Sequence, residues 1–89
     1  MPKPNLVVVK WGDAWVKAGA HKVKRLKVAP YTTYTVGFLV KEGEEGVWLS
    51  AEYWPDEPGN ASYPTFIPRG MIYSIRSIRA SFLDDETRP

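Results

Sequence analysis

The sequence predicts an all-β protein that folds as one small, strongly bent barrel of about five strands. Length is the first observation, because 89 residues provide enough apolar side chains for one core and not for two. The second is that apolar residues fall in short runs rich in β-branched and aromatic side chains, several of which alternate with polar residues. The third is that glycines and prolines separate these runs, as turns do in a small β domain.

The first strand is predicted over residues 6–11, a β-branched run that ends at Gly12 and Asp13. Residues 14–30 are harder to assign, because their apolar side chains are set among lysines. We expect a basic loop that runs into the edge of a strand. A short helical turn that contains Ala14, Trp15 and Ala18 is the alternative.

A β-hairpin is the clearest feature of the sequence. Residues 32–41 alternate, so that Tyr34, Val36, Phe38 and Val40 share one face of the strand and Thr33, Thr35, Gly37 and Leu39 share the other. The turn at residues 42–46 contains glycines, which suit backbone positions with positive φ, and residues 47–54 resume the alternation. Gly37 inside the strand predicts a bend or the close approach of another backbone segment.

The remaining elements are shorter. Turn-forming residues predict an exposed loop over residues 55–62, followed by a strand over residues 63–67 that Pro68 ends. Residues 69–70 turn the chain into a last strand that begins at residue 71. The apolar residues Ile72, Ile75, Ile78 and Phe82 also fit one face of a helix, so a C-terminal helix from about Ser77 is the alternative. Residues 1–83 therefore form the single domain, and residues 84–89 form a flexible acidic tail.

Four motifs follow one another along the chain: Trp-Gly-Asp at residues 11–13, Val-Gly-Phe-Leu-Val-Lys-Glu at residues 36–42, Glu-Glu-Gly-Val-Trp-Leu at residues 44–49 and Ile-Pro-Arg-Gly-Met-Ile at residues 67–72. In this order they resemble a group of small uncharacterised proteins encoded in tailed-bacteriophage genomes. The resemblance covers about residues 6–78. It implies a phage origin, with the host cytoplasm as the expected location, and no established activity.

The predicted barrel is SH3-like or Sm-like, and the chain is more weakly similar to the Sm-like proteins that assemble into rings and bind RNA. In that family a basic residue in the turn before the last strand contacts nucleic acid, and Arg69 occupies the matching turn. The family's turn between the second and third strands supplies Asn and Asp, whereas this chain has Glu42, Glu44 and Glu45 there. Carboxylates repel phosphates, so the likeness implies the fold more strongly than RNA binding.

The composition excludes several kinds of catalytic and metal site. The chain has no cysteine and a single histidine, His21, which excludes thiolate sites, disulfides and multi-histidine sites. Neither the acidic turn nor the loop at residues 55–62 has the ligand spacing of a calcium loop. No apolar run is long enough to span a membrane, and the N-terminus lacks the pattern of a signal peptide. We therefore expect an intracellular, non-enzymatic protein that needs no cofactor and binds neither a metal nor a membrane.

Thermolabile residues are scarce in the chain. Glutamine is absent, asparagine occurs only at Asn5 and Asn60, and there are eight prolines. This profile is typical of proteins from hot environments, so we expect a thermophilic source.

Charges are segregated along the chain, although the formal net charge is only +2. Residues 1–41 carry seven lysines and Arg25 against Asp13, whereas residues 42–57 carry six acids and no base. The basic run at residues 21–27 could neutralise several phosphates. The candidate nucleic-acid-binding residues are Lys22, Lys24, Arg25, Lys27 and Arg69. A solvated basic face and head-to-tail contact between copies are the alternatives.

Two tryptophans of the hairpin suggest an interface. Alternation places Val47, Leu49, Ala51 and Tyr53 in the core, which leaves Trp48, Ser50, Glu52 and Trp54 on the opposite face. Because tryptophan is enriched at protein interfaces, Trp48 and Trp54 are candidate subunit-contact residues. A base-stacking platform, or cover by the basic segment or a terminal helix, is the alternative.

These expectations combine in one functional hypothesis. The protein is expected to act as an accessory binding module that forms homo-oligomers through its hairpin or strand edges and engages a host or phage macromolecule. A nucleic-acid-binding role is the first alternative. A small structural component of the virion is the second.

Overall fold

The computed structural model describes residues 4–15 and 17–78 and confirms the all-β fold. Five antiparallel strands form one sheet in the order β4-β3-β2-β1-β5. The strands are β1 (Asn5–Asp13), β2 (Tyr31–Gly43), β3 (Gly46–Ser50), β4 (Thr65–Pro68) and β5 (Ile72–Ser77). Two single 3₁₀ turns, Val23–Arg25 and Arg69–Met71, are the helical elements of the described residues.

The connection between β4 and β5 requires a strongly bent sheet. These two strands lie at opposite edges of the sheet, yet only the 3₁₀ turn Arg69–Met71 joins them. In a flat five-stranded sheet the edge strands would be roughly 19 Å apart, since neighbouring strands are about 4.8 Å apart. The four steps from Pro68 to Ile72 advance about 8 Å in 3₁₀ geometry. The two edges therefore curl towards each other, although no ladder joins β4 to β5 within the described residues.

The core lies on the concave side of this sheet and is small. Its fully buried apolar side chains are at most 2% exposed and come from three strands: Val7, Val9, Val47, Leu49 and Ile67. Trp11, Leu39, Ile72 and Ile75 pack against them from the rim. The Trp11 indole Nε1 donates a hydrogen bond of 2.9 Å to Thr35 Oγ1, which satisfies its polar group inside the sheet.

Gly37 marks the close approach that the sequence predicts. This residue is buried in β2, and a Cβ atom added to it would lie 3.1 Å from both the Cβ of Leu49 and the carbonyl oxygen of Ser50. A side chain there would push β3 away from β2. The absence of a side chain therefore lets the hairpin close onto the core.

The hairpin turn forms as predicted, but its glycines serve a different purpose. Glu44 and Glu45 make a two-residue turn between the paired residues Gly43 and Gly46. The expectation of positive φ at these glycines is wrong, because neither has left-handed backbone. Gly46 is instead needed for packing, since a Cβ there would lie 2.6 Å from Cζ of the Phe66 ring.

Strand β3 is shorter than the predicted strand over residues 47–54, since it ends at Ser50. Ser50 was expected on the outward face, but it is buried and its hydroxyl donates 2.7 Å to the carbonyl oxygen of Glu52. The same hydroxyl accepts from the backbone N–H of Ser62 at 2.8 Å. These local bonds replace the ladder and redirect the chain, so Ala51 is exposed and its predicted core position is wrong.

The other strand ends also differ from the prediction. Strand β1 continues through Gly12 and Asp13, because these residues still pair with Thr32 and Tyr31. Strand β4 begins two residues late, after the left-handed Tyr63 interrupts extended backbone.

The alternative of a C-terminal helix is contradicted for its first residues. Ile72 and Ile75 lie on β5, which pairs with β1 through Ser77. The backbone N–H of Ile78 then donates 2.7 Å to the carbonyl oxygen of Leu6. Phe82, the rest of that predicted helix and the predicted tail at residues 84–89 lie outside the described residues.

Candidate binding surfaces

The connection between β1 and β2 is an exposed basic loop, which we call the arm and define as residues 14–30. It begins where the ladder between β1 and β2 ends, at the pair Asp13 and Tyr31. Every described residue of the arm is exposed. The arm carries Lys17, Lys22, Lys24, Arg25 and Lys27 and contains no acid. A long, uniformly cationic and solvent-exposed loop is therefore attached to one end of the sheet, as the sequence predicts for this segment.

The arm is closed at its base. The indole Nε1 of Trp15 donates 3.1 Å to the carbonyl oxygen of Ala29, and the Trp15 ring lies 5.9 Å from the ring of Tyr31. A 3₁₀ turn in the arm is closed by the backbone N–H of Leu26, which donates 3.0 Å to Val23. The arm is thus an Ω-like loop whose ends are held together.

A concavity of about 380 Å³ lies within the arm. Trp15 and Leu26 provide its apolar lining, and Lys17, His21 and Lys27 provide its polar lining. Trp15 and Lys17 are not among the binding residues that the sequence predicts, and His21 enters there only as part of the basic run at residues 21–27. Their proximity depends on the bond between Trp15 and Ala29, which no short sequence motif reveals.

Arg69 does not belong to this basic surface. Its Nη2 donates 2.8 Å to the carbonyl oxygen of Gly43 and lies 3.6 Å from Oε2 of Glu42. The arm joins β2 at Tyr31, whereas Arg69 is bound at the other end of the same strand. The structure therefore brings Lys22, Lys24, Arg25 and Lys27 together on the arm and places Arg69 at the hairpin turn.

Trp48 forms an exposed aromatic pair with Phe66 of the neighbouring strand. The ring centroids are 5.2 Å apart and the rings are tilted by 51°. Both side chains are 39% exposed. Stacking of this kind holds the two rings in place while one side of each remains open to solvent.

The Trp48 ring separates two concavities. One, of about 240 Å³, lies between Trp48, Phe66 and the acidic turn at residues 42–46. The other, of about 460 Å³, is bounded by Val40, Trp48 and the loop that carries Pro58 and Pro64. Lys41 lines both. We call the two concavities together the aromatic groove.

Hydrogen bonds hold the loop that forms one wall of the groove. At its base, the backbone N–H of Ala51 donates 2.8 Å to Ser62, and the Ser62 hydroxyl donates 2.8 Å to Oε1 of Glu52. At its tip, the backbone N–H and the Nδ2 of Asn60 both bind Glu57. The wall is thus fixed at both ends.

Trp54 lies in this loop and not on β3. Its side chain is 39% exposed, and its carbonyl oxygen accepts 3.0 Å from the backbone N–H of Glu57. Trp48 and Trp54 are therefore both exposed, as predicted, but they belong to different elements. Their role as an interface stays a prediction.

Tyr63 has a strained backbone conformation next to the groove. Its φ of 46° lies in the left-handed region, and its side chain is 85% exposed. Such a conformation costs a non-glycine residue about 1–2 kcal/mol, and this side chain recovers little of that cost by packing.

A third surface, which we call the convex face, surrounds Lys10, Tyr34 and Arg76 on the outer side of the sheet. Trp48 and Phe66 also point away from the core, but they lie at the hairpin end of β2. Tyr34 and Val36 of β2 are exposed beside Val8 of β1. The ammonium group of Lys10 lies 5.9 Å from the centroid of the Tyr34 ring, within cation–π distance. A concavity of about 280 Å³ there also includes Arg76.

Two kinds of feature are absent from the described residues. These residues include no group of three or more His, Cys, Asp or Glu side chains placed to hold a metal ion. None of their helical segments is long and apolar enough to cross a membrane.

Comparisons with protein-family models, curated proteins and solved structures returned no match.

Proposed function

We propose that this protein is a non-enzymatic binding module that self-associates through its exposed hairpin surface. The balance of apolar side chains supports this proposal. Five apolar side chains form the buried core of the described chain, whereas fifteen large apolar side chains are exposed. Monomeric soluble proteins rarely leave large contiguous apolar patches uncovered, and Trp48 and Phe66 form one aromatic patch on adjacent strands, so a partner surface is expected to cover it.

The aromatic groove is the part of that surface best suited to a partner. It combines a held aromatic pair, Trp48 and Phe66, with proline-containing walls and a polar acidic rim. Protein interfaces have this arrangement of aromatic centre and polar rim. The strand edge at β4 is a less suitable surface, because Pro64 precedes this four-residue strand and Pro68 is its last residue.

Light scattering on a sizing column tests self-association directly. The mass should rise above 10.1 kDa as the concentration increases. Trp48→Ala should return it towards the monomer, because this change removes the centre of the groove. Tyr34→Ala is the matched control, since it removes an exposed aromatic ring from the convex face. A monomeric wild-type protein at all concentrations would refute the proposal, and circular dichroism would show that the variants remain folded.

Nucleic-acid binding by the arm is the second candidate function. The arm concavity supports it, because an aromatic ring, Trp15, lies there among the cationic Lys17 and Lys27. Single-stranded nucleic acids bind to surfaces that combine stacking with positive charge. Affinity for a short oligonucleotide should fall steeply with salt, and Lys24→Glu with Arg25→Glu should abolish it. Arg69→Glu should have a smaller effect, because Arg69 lies at the other end of β2. Affinity unaffected by the arm changes would refute this function.

A phage origin is a further proposal and rests on the motif order at residues 11–13, 36–42, 44–49 and 67–72. A phage protein could be a structural component of the virion or an accessory protein, and the two roles can be distinguished. A structural component of the virion should be found by mass spectrometry in purified particles. An accessory protein should be present in infected cells and absent from particles.

A further inference from the structure

We propose that the arm of one copy docks into the aromatic groove of a second copy, so that the molecules associate head to tail. This inference rests on the proposed self-association and names the two surfaces that meet. It commits to another copy of this chain as the occupant of the groove.

Charge complementarity is the first argument. The arm carries five cations and no acid, whereas residues 42–57, which include the acidic turn and part of the groove wall, carry six acids and no base. Glu42 is paired with Arg69, but Glu44 and Glu45 project from the exposed turn beside the groove. Among the described residues, no arm cation forms an ion pair with any of these acids. The two charged surfaces are therefore complementary and unpaired with each other within one chain.

Apolar complementarity is the second argument. The arm exposes Val23, Leu26 and Val28 between its cations. Docking against an apolar surface would remove these side chains from water, which is favourable. The groove offers an aromatic floor at Trp48 and apolar walls at Pro58. Alternating cations and aliphatic side chains on the arm match an apolar groove that carries Glu44 and Glu45 on its turn side, although Lys41 also lines the groove.

The position of the two surfaces favours contact between copies. The arm joins β2 at Tyr31, and the groove begins at Val40 of the same strand. Nine residue-to-residue steps of extended strand separate Tyr31 from Val40, which corresponds to roughly 30 Å of chain. The arm is also tied at its base by the bond from Trp15 to Ala29. The arm of one copy can therefore contact the groove of a second copy more readily than its own groove. Repeated head-to-tail contacts of this kind build rings or filaments.

Two charge-reversal variants test the inference. The arm variant combines Lys24→Glu with Arg25→Glu, and the turn variant combines Glu44→Lys with Glu45→Lys. Each should be monomeric alone, because each lacks one of the two complementary surfaces. An equimolar mixture should form a heterodimer, since the turn variant retains a native arm and the arm variant retains a native groove. Native mass spectrometry distinguishes the heterodimer from either homodimer if one variant is isotope-labelled.

A control separates this pairing from a general effect of net charge. Lys10→Glu with Arg76→Glu changes the net charge by the same amount as the arm variant but acts on the convex face. This control should associate like the wild type. Wild-type association should also weaken about tenfold or more between low and high salt, since exposed charge pairs are screened.

The possible results are distinguishable. A mixture that stays monomeric, while the wild type associates, would overturn the arm-to-groove pairing and leave self-association intact. If both variants still associate on their own, the arm-to-groove pairing is also overturned and self-association is again left intact. A wild-type protein that is monomeric under all conditions would overturn both proposals.

Discussion

The two ends of β2 are organised in opposite ways. At the Gly43 end, Arg69 binds the turn, Phe66 covers Gly46, and hydrogen bonds close the loop at residues 51–64. At the Tyr31 end, the arm has no buried residue among those described and is closed by one indole hydrogen bond and a 3₁₀ turn. One end of the strand thus carries a preformed groove, and the other carries an adaptable cationic loop. A preformed surface loses little conformational entropy on binding, so the groove is suited to bind a segment of another molecule. The arm is suited to adjust its conformation to that groove.

At the Gly43 end of β2, substitution of Gly46 should lower the free energy of unfolding the most. Gly46→Ala places a Cβ against the Phe66 ring and the carbonyl oxygen of Ile67, so one strand must shift. We expect a loss of about 2–3 kcal/mol in the free energy of unfolding, measured by urea titration. Gly43→Ala is the control, because nothing lies within 4 Å of the Cβ it would add. Equal stability of the two variants would contradict the packing assigned to Phe66.

Ser50 tests the hydrogen bonds that fix the groove wall. Ser50→Ala removes the acceptor of the Ser62 backbone N–H, which then stays buried without its partner. This should cost about 1–3 kcal/mol in the free energy of unfolding. Thr33→Ala, which removes an exposed hydroxyl bound to the carbonyl oxygen of Tyr31, should cost less than half as much. Chemical denaturation of both variants measures the difference, and similar losses would show that the loop does not depend on Ser50.

Tyr63 tests whether strain is stored beside the groove. Tyr63→Gly should stabilise the fold by about 0.5–1 kcal/mol, because glycine adopts positive φ without a steric penalty. Tyr63→Ala removes the same ring but keeps the strain, so it should not stabilise. If Tyr63→Gly also weakens self-association, the ring contributes to the partner contact. A stability gain as large in the alanine variant would show that the backbone is not strained.

The arm should be the least sensitive part of the molecule. Lys24→Glu with Arg25→Glu should change the free energy of unfolding by less than about 0.5 kcal/mol, because exposed loop side chains support little of the fold. The same variant should no longer self-associate. Substitutions in the arm are therefore expected to change binding without changing the stability of the fold. A large loss of stability would mean that the arm packs on the sheet.

Periodicity predicted the sheet because alternation reports which face of a strand is buried. The hairpin and the buried Val47 and Leu49 were predictable in this way. The close approach at Gly37 was predictable because a glycine stands inside the strand. The end of β3 was not predictable. Alternation places Ser50 on the outward face, and the Ser62 backbone N–H that binds it in the interior lies twelve residues away in the sequence. Gly46 was misinterpreted for a similar reason, because Phe66 comes from another strand.

The candidate site was predicted in part. The basic run and the outward Trp48 are visible in the sequence, because charge and alternation are local properties. The separation of Arg69 from the arm was not predictable, since it depends on contacts with Gly43 and Glu42 at the far end of β2.

The phage origin and the thermophilic source stay predictions. A melting temperature typical of mesophilic domains would contradict the latter.

Hydrogen exchange at low and high protein concentration locates the surfaces that meet when copies associate. If the arm of one copy docks into the groove of another, exchange at high concentration should be slower in two separate segments, the arm and the turn and loop around the groove. Exchange in the centres of β1 and β2 should be unchanged. Protection confined to β5 or to the convex face, or no change in either segment despite a rise in mass, would rule out head-to-tail contact.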